Sequence, residues 1–231
     1  MQQYQVRHQT VSINNFSYPI RTLQDRQQFH DQDDQAASVG ISSATWSLFG
    51  VVWPASRILA RHVSGINLQG KRVLEIGCGI ALSSIVLHRL GVDITASDYH
   101  PLAREFLDQN ILDNLLPPIK FQTGNWETEN PLLAKFDLII GSDVLYEPAH
   151  PGNVSDFIER HCLPTAQVII VDPDRGNRAR FTKAMLALGY SHSFVRFHEA
   201  GEDEERCKGR ILSYSRSELP VARMLPTDNL N

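Results

Sequence analysis

The segment from Lys71 to Asp98, KRVLEIGCGIALSSIVLHRLGVDITASD, constrains the fold more than any other part of the chain. It opens with a short apolar run, turns at Gly77 and Gly79, and continues with apolar residues at helical spacing. Gly91 ends the predicted helix, and a second apolar run leads to the aspartate. The segment therefore predicts a strand, a helix and a second strand, which form one βαβ unit.

The glycines and the acid of this unit predict a ligand site. A strand that turns at once into a helix needs backbone freedom, and a missing Cβ lets a ligand lie against the chain at Gly77 and Gly79. Asp98 ends the next strand, where a carboxylate can accept hydrogen bonds from two ribose hydroxyls. A dinucleotide-binding GxGxxG turn would have its third glycine at the position of Leu82. The bulk of this leucine disfavours a pyrophosphate, so a nicotinamide oxidoreductase is the least favoured alternative.

This segment resembles the first two motifs of the class I, seven-stranded S-adenosylmethionine-dependent methyltransferases. The resemblance depends on Glu75-Ile-Gly77-Cys78-Gly79 followed by Asp98. It departs from the family pattern at Ala81, where many methyltransferases have a third glycine. It implies S-adenosyl-L-methionine as the cofactor, with S-adenosyl-L-homocysteine as the product. The predicted cofactor-binding residues are Trp53, Glu75, Gly77, Cys78, Gly79, Asp98, Tyr99, Asn125, Trp126 and Ser142.

A second motif follows the apolar run from Phe136 to Gly141, which predicts a buried parallel strand. The C-terminal tips of parallel strands face the ligand crevice, so Asp143 and Tyr146 are expected near the transferred methyl group. Together with Trp53-Pro54 upstream, this Asp-x-x-Tyr element resembles a branch rich in protein lysine methyltransferases. The branch is similar to methyltransferase family 16 and includes enzymes that modify chaperones, elongation factors and the electron transfer flavoprotein β-subunit.

The resemblance implies catalytic roles for Asp143 and Tyr146. With the carbonyl of Ser142 nearby, they would orient a lysine amine and stabilise the positive charge that develops on its nitrogen. Without Trp53-Pro54 upstream, a capping aspartate and a core tyrosine would be the better interpretation. Trp53 itself is expected to border the methionine end of the cofactor.

Two further strand tips carry candidate residues, each with a structural alternative. Asn125 and Trp126 follow the predicted strand from Ile119 to Gln122, where an amide and a ring suit the edge and the face of an adenine. The alternative is that Trp126 plugs the rim of the sheet. Asp172-Pro-Asp-Arg175 follows another buried strand and is expected to shape the acceptor mouth, or to be a simple Pro-Gly turn. Packing is predicted for Trp46, Phe49 and His161.

The whole chain, residues 1–231, is predicted to form one methyltransferase domain with a Rossmann-like, doubly wound, mostly parallel seven-stranded sheet. Residues 44–217 form the predicted core, and residues 218–231 a loose tail. Two final strands, Ser191 to Phe197 and Arg210 to Ser217, lack an intervening helix and predict an antiparallel hairpin at the C-terminal edge. Residues 1–43 are predicted to be an extension that covers the active-site mouth or is partly mobile. Tyr4 to Ile13 is a candidate strand within it.

Composition excludes several other classes of protein. The net charge of −4 and the absence of a Lys and Arg block argue against nucleic-acid binding. The three cysteines are scattered, without a CxxC pair or metal spacing, so no metal is predicted and free thiols are expected. No export signal and no membrane-spanning run are found, which favours a cytoplasmic protein that does not bind a membrane.

Three hypotheses about function follow. The favoured one is a monomeric protein lysine methyltransferase. The second is a methyltransferase that acts on a small molecule, with the N-terminal extension as a lid. The third is a non-catalytic module that retains the S-adenosylmethionine pocket.

Overall fold

The computed structural model of the protein describes residues 4–200 and 206–217. The predicted tail, residues 218–231, lies outside the described residues, as does part of the charged turn before the last strand. The strands are β1 Val6–Ile13, β2 Phe16–Leu23, β3 Arg72–Ile76, β4 Asp93–Asp98, β5 Lys120–Thr123, β6 Phe136–Ser142, β7 Cys162–Asp172, β8 Ser191–Ala200 and β9 Arg206–Arg216. The helices are α1 Gln35–Ser38, α2 Pro54–Ser64, α3 Leu82–Arg89, α4 Ala103–Asp113, α5 His150–His161 and α6 Arg178–Ala187, with a 3₁₀ helix at Trp46–Gly50.

Within the described part of the chain, seven strands form one sheet in the order β5-β4-β3-β6-β7-β9-β8. The pairs from β5 to β7 are parallel, and β9 runs antiparallel to both of its neighbours. Strands β8 and β9 thus form the predicted antiparallel hairpin at one edge. The predicted α/β fold is confirmed, and the order of strands reverses between β3 and β6, where such sheets open a ligand crevice.

Helices cover both faces of the sheet, as expected for a parallel sheet whose strands are almost wholly apolar. Neighbouring residues of β3 point to opposite faces, so Val73 and Leu74 belong to two separate core clusters. Helices α2, α3 and α4 pack in the cluster of Val73, and α5 and α6 pack in the cluster of Leu74. None of the helices in the described segments combines the length and the apolar character needed to cross a membrane.

The N-terminal region contains a hairpin of which only the first strand was predicted. Strand β1 confirms the candidate strand, but it pairs with β2 in a hairpin, and most of the hairpin's apolar side chains are buried in the core cluster of α2 and α4. The side-chain amide of Asn110 on α4 bonds the backbone N–H and carbonyl of Arg21. None of residues 6–23 lines the central cavity, but Arg26 and Ile41, which also belong to the predicted extension, do. The pairing of the hairpin was missed because β2 contains Pro19, which lowers its strand signal.

Strand β7 is longer than predicted. Strand β7 begins at Cys162, directly after α5, whereas the apolar pattern predicted a strand only from Gln167. Three of the additional residues, Leu163 to Thr165, are partly or fully exposed, and they lie where the pairing with β6 is irregular between Phe136 and Leu138. An apolar run marks only the part of a strand that is buried on both faces, so the remainder gave no signal.

Candidate functional site

A cavity of about 550 Å³ opens at the C-terminal ends of the central strands, within the size range of small-molecule sites. Most of the sequence-predicted site residues line it, namely Trp53, Gly77, Cys78, Gly79, Asp98, Tyr99, Trp126, Ser142, Asp143 and Tyr146. Glu75 and Asn125 do not line it. The motifs around residues 77, 98 and 143, separate in the sequence, therefore share one site.

The turn after β3 requires glycine at two positions. Gly77 and Gly79 both have a φ of +54°, in the left-handed region that glycine adopts without a steric cost. A Cβ on Gly77 would lie 3.0 Å from Cγ1 of Val144, and one on Gly79 would lie 2.7 Å from the carbonyl oxygen of Phe49. The turn is therefore closely packed against two other segments, and its backbone forms a wall of the cavity.

Ala81, the departure from the family pattern, has the same backbone geometry. Its φ of 61° is left-handed, and its side chain is fully buried before α3. A non-glycine residue in this region costs roughly 1–2 kcal/mol. The third glycine of the family pattern would therefore suit this position conformationally, and alanine fits at the expense of backbone strain.

Asp98 is held by the backbone around it. Its carboxylate accepts hydrogen bonds from the N–H of Gly79 at 2.8 Å and from the N–H of His100 at 2.9 Å. Burial raises the pKa of Asp98 above its usual value, against the effect of these bonds. A carboxylate has about four acceptor positions, so the group retains capacity to accept from a bound sugar.

Glu75 has a different position from the one expected of a cofactor ligand. Its carboxylate is buried under the turn and accepts from the N–H and the O–H of Ser84, at 2.7 and 2.5 Å. Burial raises the pKa of Glu75 to about 7. Because it joins β3 to the first turn of α3 without lining the cavity, it positions the glycine turn rather than contacting a ligand there.

Asn125 also lies outside the cavity wall, and its side-chain oxygen accepts from the N–H of Glu127 at 2.9 Å in a local turn. The neighbouring Trp126 does line the cavity. Its indole lies beside the position a Gly77 Cβ would take, and edge-on to His150 with ring centroids 5.1 Å apart. It also packs against the core cluster of α5, so it combines a position at the rim of the sheet with one in the cavity wall.

On the opposite side, Trp53 is fixed at the start of α2. Its indole N–H donates to the carbonyl of Leu48 at 2.8 Å, and the guanidinium of Arg26 lies over its ring at 4.6 Å from the centroid. Arg26 lines the cavity and was missed by the sequence analysis, because it lies in a polar segment with no motif.

Phe49 was predicted to be a packing residue only, and the structure gives it a second role. It lines the cavity, and its ring stacks on His100 with centroids 3.8 Å apart. Burial lowers the pKa of His100 to about 4, so this imidazole is neutral at pH 7 and serves as a flat wall. The packing predicted for Trp46 and His161 is confirmed, since both side chains are buried among core residues.

At the tip of β6, Asp143 faces the cavity with a left-handed φ of 54°, and its N–H donates to the carbonyl of Val171 at 2.8 Å. Both of its carboxylate oxygens accept from Arg175, from Nε and from Nη2, each at 2.6 Å. Tyr146 lies edge-on to His150 with centroids 4.5 Å apart, and burial raises the pKa of its phenol. Both members of the predicted pair therefore line the cavity, but the aspartate already has a cationic partner.

Among the described residues, no group of three or more His, Cys, Asp and Glu side chains is arranged to hold a metal ion. The cavity is lined largely by apolar and aromatic side chains. Its charged groups include the Asp98 carboxylate on one side and the Asp143–Arg175 pair on the other.

The family profile described as lysine methyltransferase matches residues 34–186, about two thirds of the chain. The chain belongs to this family. The match includes the glycine turn, the Asp-x-x-Tyr element and Arg175, but not the N-terminal hairpin.

Several curated relatives have protein substrates in their names. The chain is 32% identical over 142 residues to the protein N-lysine methyltransferase METTL21A of Mus musculus, with 58% of each chain covered. It is 30% identical to the electron transfer flavoprotein beta subunit lysine methyltransferase of Danio rerio, covering 56% of this chain and 50% of the relative. It is 32% identical to the histone-arginine methyltransferase METTL23 of Xenopus laevis, covering 51% and 53%. The chain spans about half the length of the curated relatives it matches.

Solved structures with this fold are more distant in sequence. Magnesium protoporphyrin IX methyltransferase of Synechocystis PCC 6803, solved with bound S-adenosylmethionine, matches with a TM-score of 0.56 and 20% identity. The match covers 82% of this chain and all of that one. At this identity the likeness confirms the Rossmann-like methyltransferase fold alone.

Proposed function

We propose that the protein is an S-adenosylmethionine-dependent methyltransferase that modifies a lysine side chain of a protein substrate. The observation that carries the proposal is the meeting of the glycine turn, Asp98 and Asp143 around one cavity. Membership of the lysine methyltransferase family supports it, as do the protein lysine methyltransferases among the relatives. We further propose that the enzyme acts as a monomer in the cytoplasm.

The residues present fit the cofactor. Gly77 and Gly79 line the cavity with backbone and no side chain of their own, so a nucleoside can lie directly against the chain there. Asp98 offers a buried carboxylate for the sugar hydroxyls, and Trp126 offers a ring for the base. On the other side, Trp53 and Arg26 would border the methionine end, where a guanidinium suits a carboxylate.

When bound, S-adenosyl-L-methionine supplies a methyl group on a positively charged sulfur, which accepts the electron pair of the broken carbon–sulfur bond. The protein's own part is to align and desolvate the acceptor. A lysine ammonium has no lone pair, so it must lose a proton, for which water at the open mouth is sufficient. Asp143 and the carbonyl of Ser142 then orient the nitrogen and stabilise its developing charge, with Tyr146 closing the site.

The test is to incubate cell lysate with the purified enzyme and S-adenosylmethionine labelled in its methyl group. We expect a labelled protein band whose modified residue is identified by mass spectrometry as lysine. Asp143→Ala should remove the band, while Asp156→Asn, on the exposed side of α5, should retain it as a matched loss of one charge. A band that persists in Asp143→Ala would contradict the role given to this residue.

The other outcomes separate the alternatives. Labelled arginine or histidine in the band would retain a protein methyltransferase but change the acceptor. Label that appears only in the small-molecule fraction would favour the second hypothesis. Cofactor binding without transfer to any fraction would favour a non-catalytic module.

A further inference from the structure

The Asp143–Arg175 pair is built as a two-pronged clamp at the acceptor mouth. Two N–H groups of one guanidinium face the two oxygens of one carboxylate, each at 2.6 Å, which is the strong, bidentate form of this interaction. Both residues line the cavity. The Asp143 side chain is 11% exposed, so most of the carboxylate surface is already covered.

The backbones that carry the two side chains are tied together, independently of the clamp. Asn177, at the start of α6, donates from its side-chain amide to the carbonyls of Leu145 and Glu147, at 2.9 and 3.1 Å. Arg180 donates to the carbonyl of Pro148. The loop after β6 is thus held against α6 even without the guanidinium.

The Arg175 side chain, in contrast, is more exposed than that of its partner Asp143. It is 43% exposed, and its guanidinium is held at its end by Asp143, so rotation about its side-chain bonds would move it into solvent. Ion pairs with an exposed partner contribute little to stability, although bidentate geometry strengthens this one. Because its arginine is this exposed, a competing cation can approach the clamp and replace the guanidinium on Asp143.

We propose that Arg175 occupies the position on Asp143 that a cationic acceptor takes, so that the acceptor must displace its guanidinium to enter. The guanidinium would repel an ammonium that approached while it remained in place, and the aspartate has little free surface for a second cation. Arg175 is thus a specificity-determining residue that admits acceptors able to replace a positive charge. The inference rests on the proposed function and deepens it, because lysine carries such a charge and a neutral small molecule does not.

The test measures binding and needs no turnover. The enzyme is saturated with S-adenosyl-L-homocysteine and titrated with n-butylammonium chloride, a mimic of the lysine side chain, at constant ionic strength. Binding is followed by ligand-observed NMR. We expect Arg175→Gln to bind n-butylammonium about tenfold more tightly than the unmodified protein, since the competing cation is absent.

Two further variants test whether the gain in n-butylammonium affinity depends on Asp143 and on the loss of this particular guanidinium. The double variant Arg175→Gln with Asp143→Asn should lose it, because the carboxylate is then absent. Arg178→Gln removes a nearby guanidinium that pairs with Asp174 at 3.4 Å and does not line the cavity, so it should bind like the unmodified protein. Equal binding by the unmodified protein and Arg175→Gln, or a gain that persists in the double variant, would overturn the proposal.

Folding is monitored separately through S-adenosylhomocysteine affinity. Should Arg175→Gln lose that affinity, Arg175→Lys provides the test, because it keeps the charge but lacks the two-pronged geometry and should give an intermediate gain. Failure here is distinguishable from failure of the proposed function. A labelled lysine without a butylammonium effect rejects only the displacement, whereas a butylammonium effect without a labelled protein leaves the cation site and rejects the protein substrate.

Discussion

The two sides of the cavity are built by different means. On the side of β3 and β4, the wall is backbone: glycines with left-handed φ angles, and a buried carboxylate that bonds two backbone N–H groups. On the side of β6 and β7, the wall is made by side chains from two loops, joined by the Asp143–Arg175 pair, of which the arginine is 43% exposed. The first side is suited to hold the cofactor, which is the same in every reaction. On the second side, the proposed displacement of the Arg175 guanidinium would admit a cationic acceptor.

The largest expected effect comes from a substitution in the glycine turn, on the side of the cavity that the backbone forms. Gly79→Ala would place a Cβ 2.7 Å from the carbonyl oxygen of Phe49 at a residue whose φ is +54°. We expect a loss of about 3–4 kcal/mol in the free energy of unfolding, from backbone strain and displacement of the neighbouring segment. Urea denaturation measures it. Gly91→Ala is the control: its φ is +78° but its Cβ would meet nothing within 4 Å, so only about 1–2 kcal/mol should be lost.

Asp98→Asn tests the anchor on the same side. The asparagine keeps one acceptor oxygen, but its NH₂ would face an N–H donor where the carboxylate now bonds Gly79 and His100. We expect S-adenosylmethionine affinity to fall about 30-fold, or about 2 kcal/mol, measured by calorimetric titration. Asp93→Asn, at the exposed start of β4, should leave the affinity unchanged. Equal affinities of the two variants would contradict the role of Asp98.

The pH dependence of stability tests the role of Glu75, which joins β3 to the first turn of α3 through its bonds with Ser84. Its folded-state pKa of about 7 lies above its ordinary value of 4.5, so its contribution to stability is fully present below pH 4.5 and is lost as the pH rises to about 7. Between about pH 5.5 and 8, the stability advantage of the unmodified protein over Glu75→Gln should fall by about 2 kcal/mol. Denaturation series at the two pH values measure this, and a constant difference would show that Glu75 titrates normally.

The smallest expected effect concerns Ala81, which lies next to the glycine turn and shares its left-handed backbone. Ala81→Gly should raise the free energy of unfolding by about 1 kcal/mol, because glycine relieves the left-handed strain at φ 61° and loses only one methyl group. The same substitution in the middle of α6, Ala184→Gly, should lower it by about 0.5–1 kcal/mol. Thermal denaturation of both variants provides the measurement. A loss at position 81 would mean that the buried methyl group outweighs the strain.

Much of this site could be predicted because its signals are local. The glycine turn, Asp98, and the Asp-x-x-Tyr element are each fixed by a few neighbouring residues at a strand tip, and parallel strands bring their tips to one edge. Glu75 lies within the same motif, yet its carboxylate is buried against the first turn of α3, where it bonds Ser84, and it does not line the cavity. Position in a motif therefore predicted which residues are near the site, but not which side chains enter it.

The sequence by itself determined the central βαβ unit, the alternation of strands and helices, and the edge hairpin, because periodicity and turn residues act over short distances. The tertiary structure alone decided that β2 would close the N-terminal hairpin on α4, that Arg26 would reach Trp53, and that Arg175 would clamp Asp143. These contacts join segments that are far apart in the chain or have no periodic pattern. Their energies depend on how the packed elements place them, which no local pattern records.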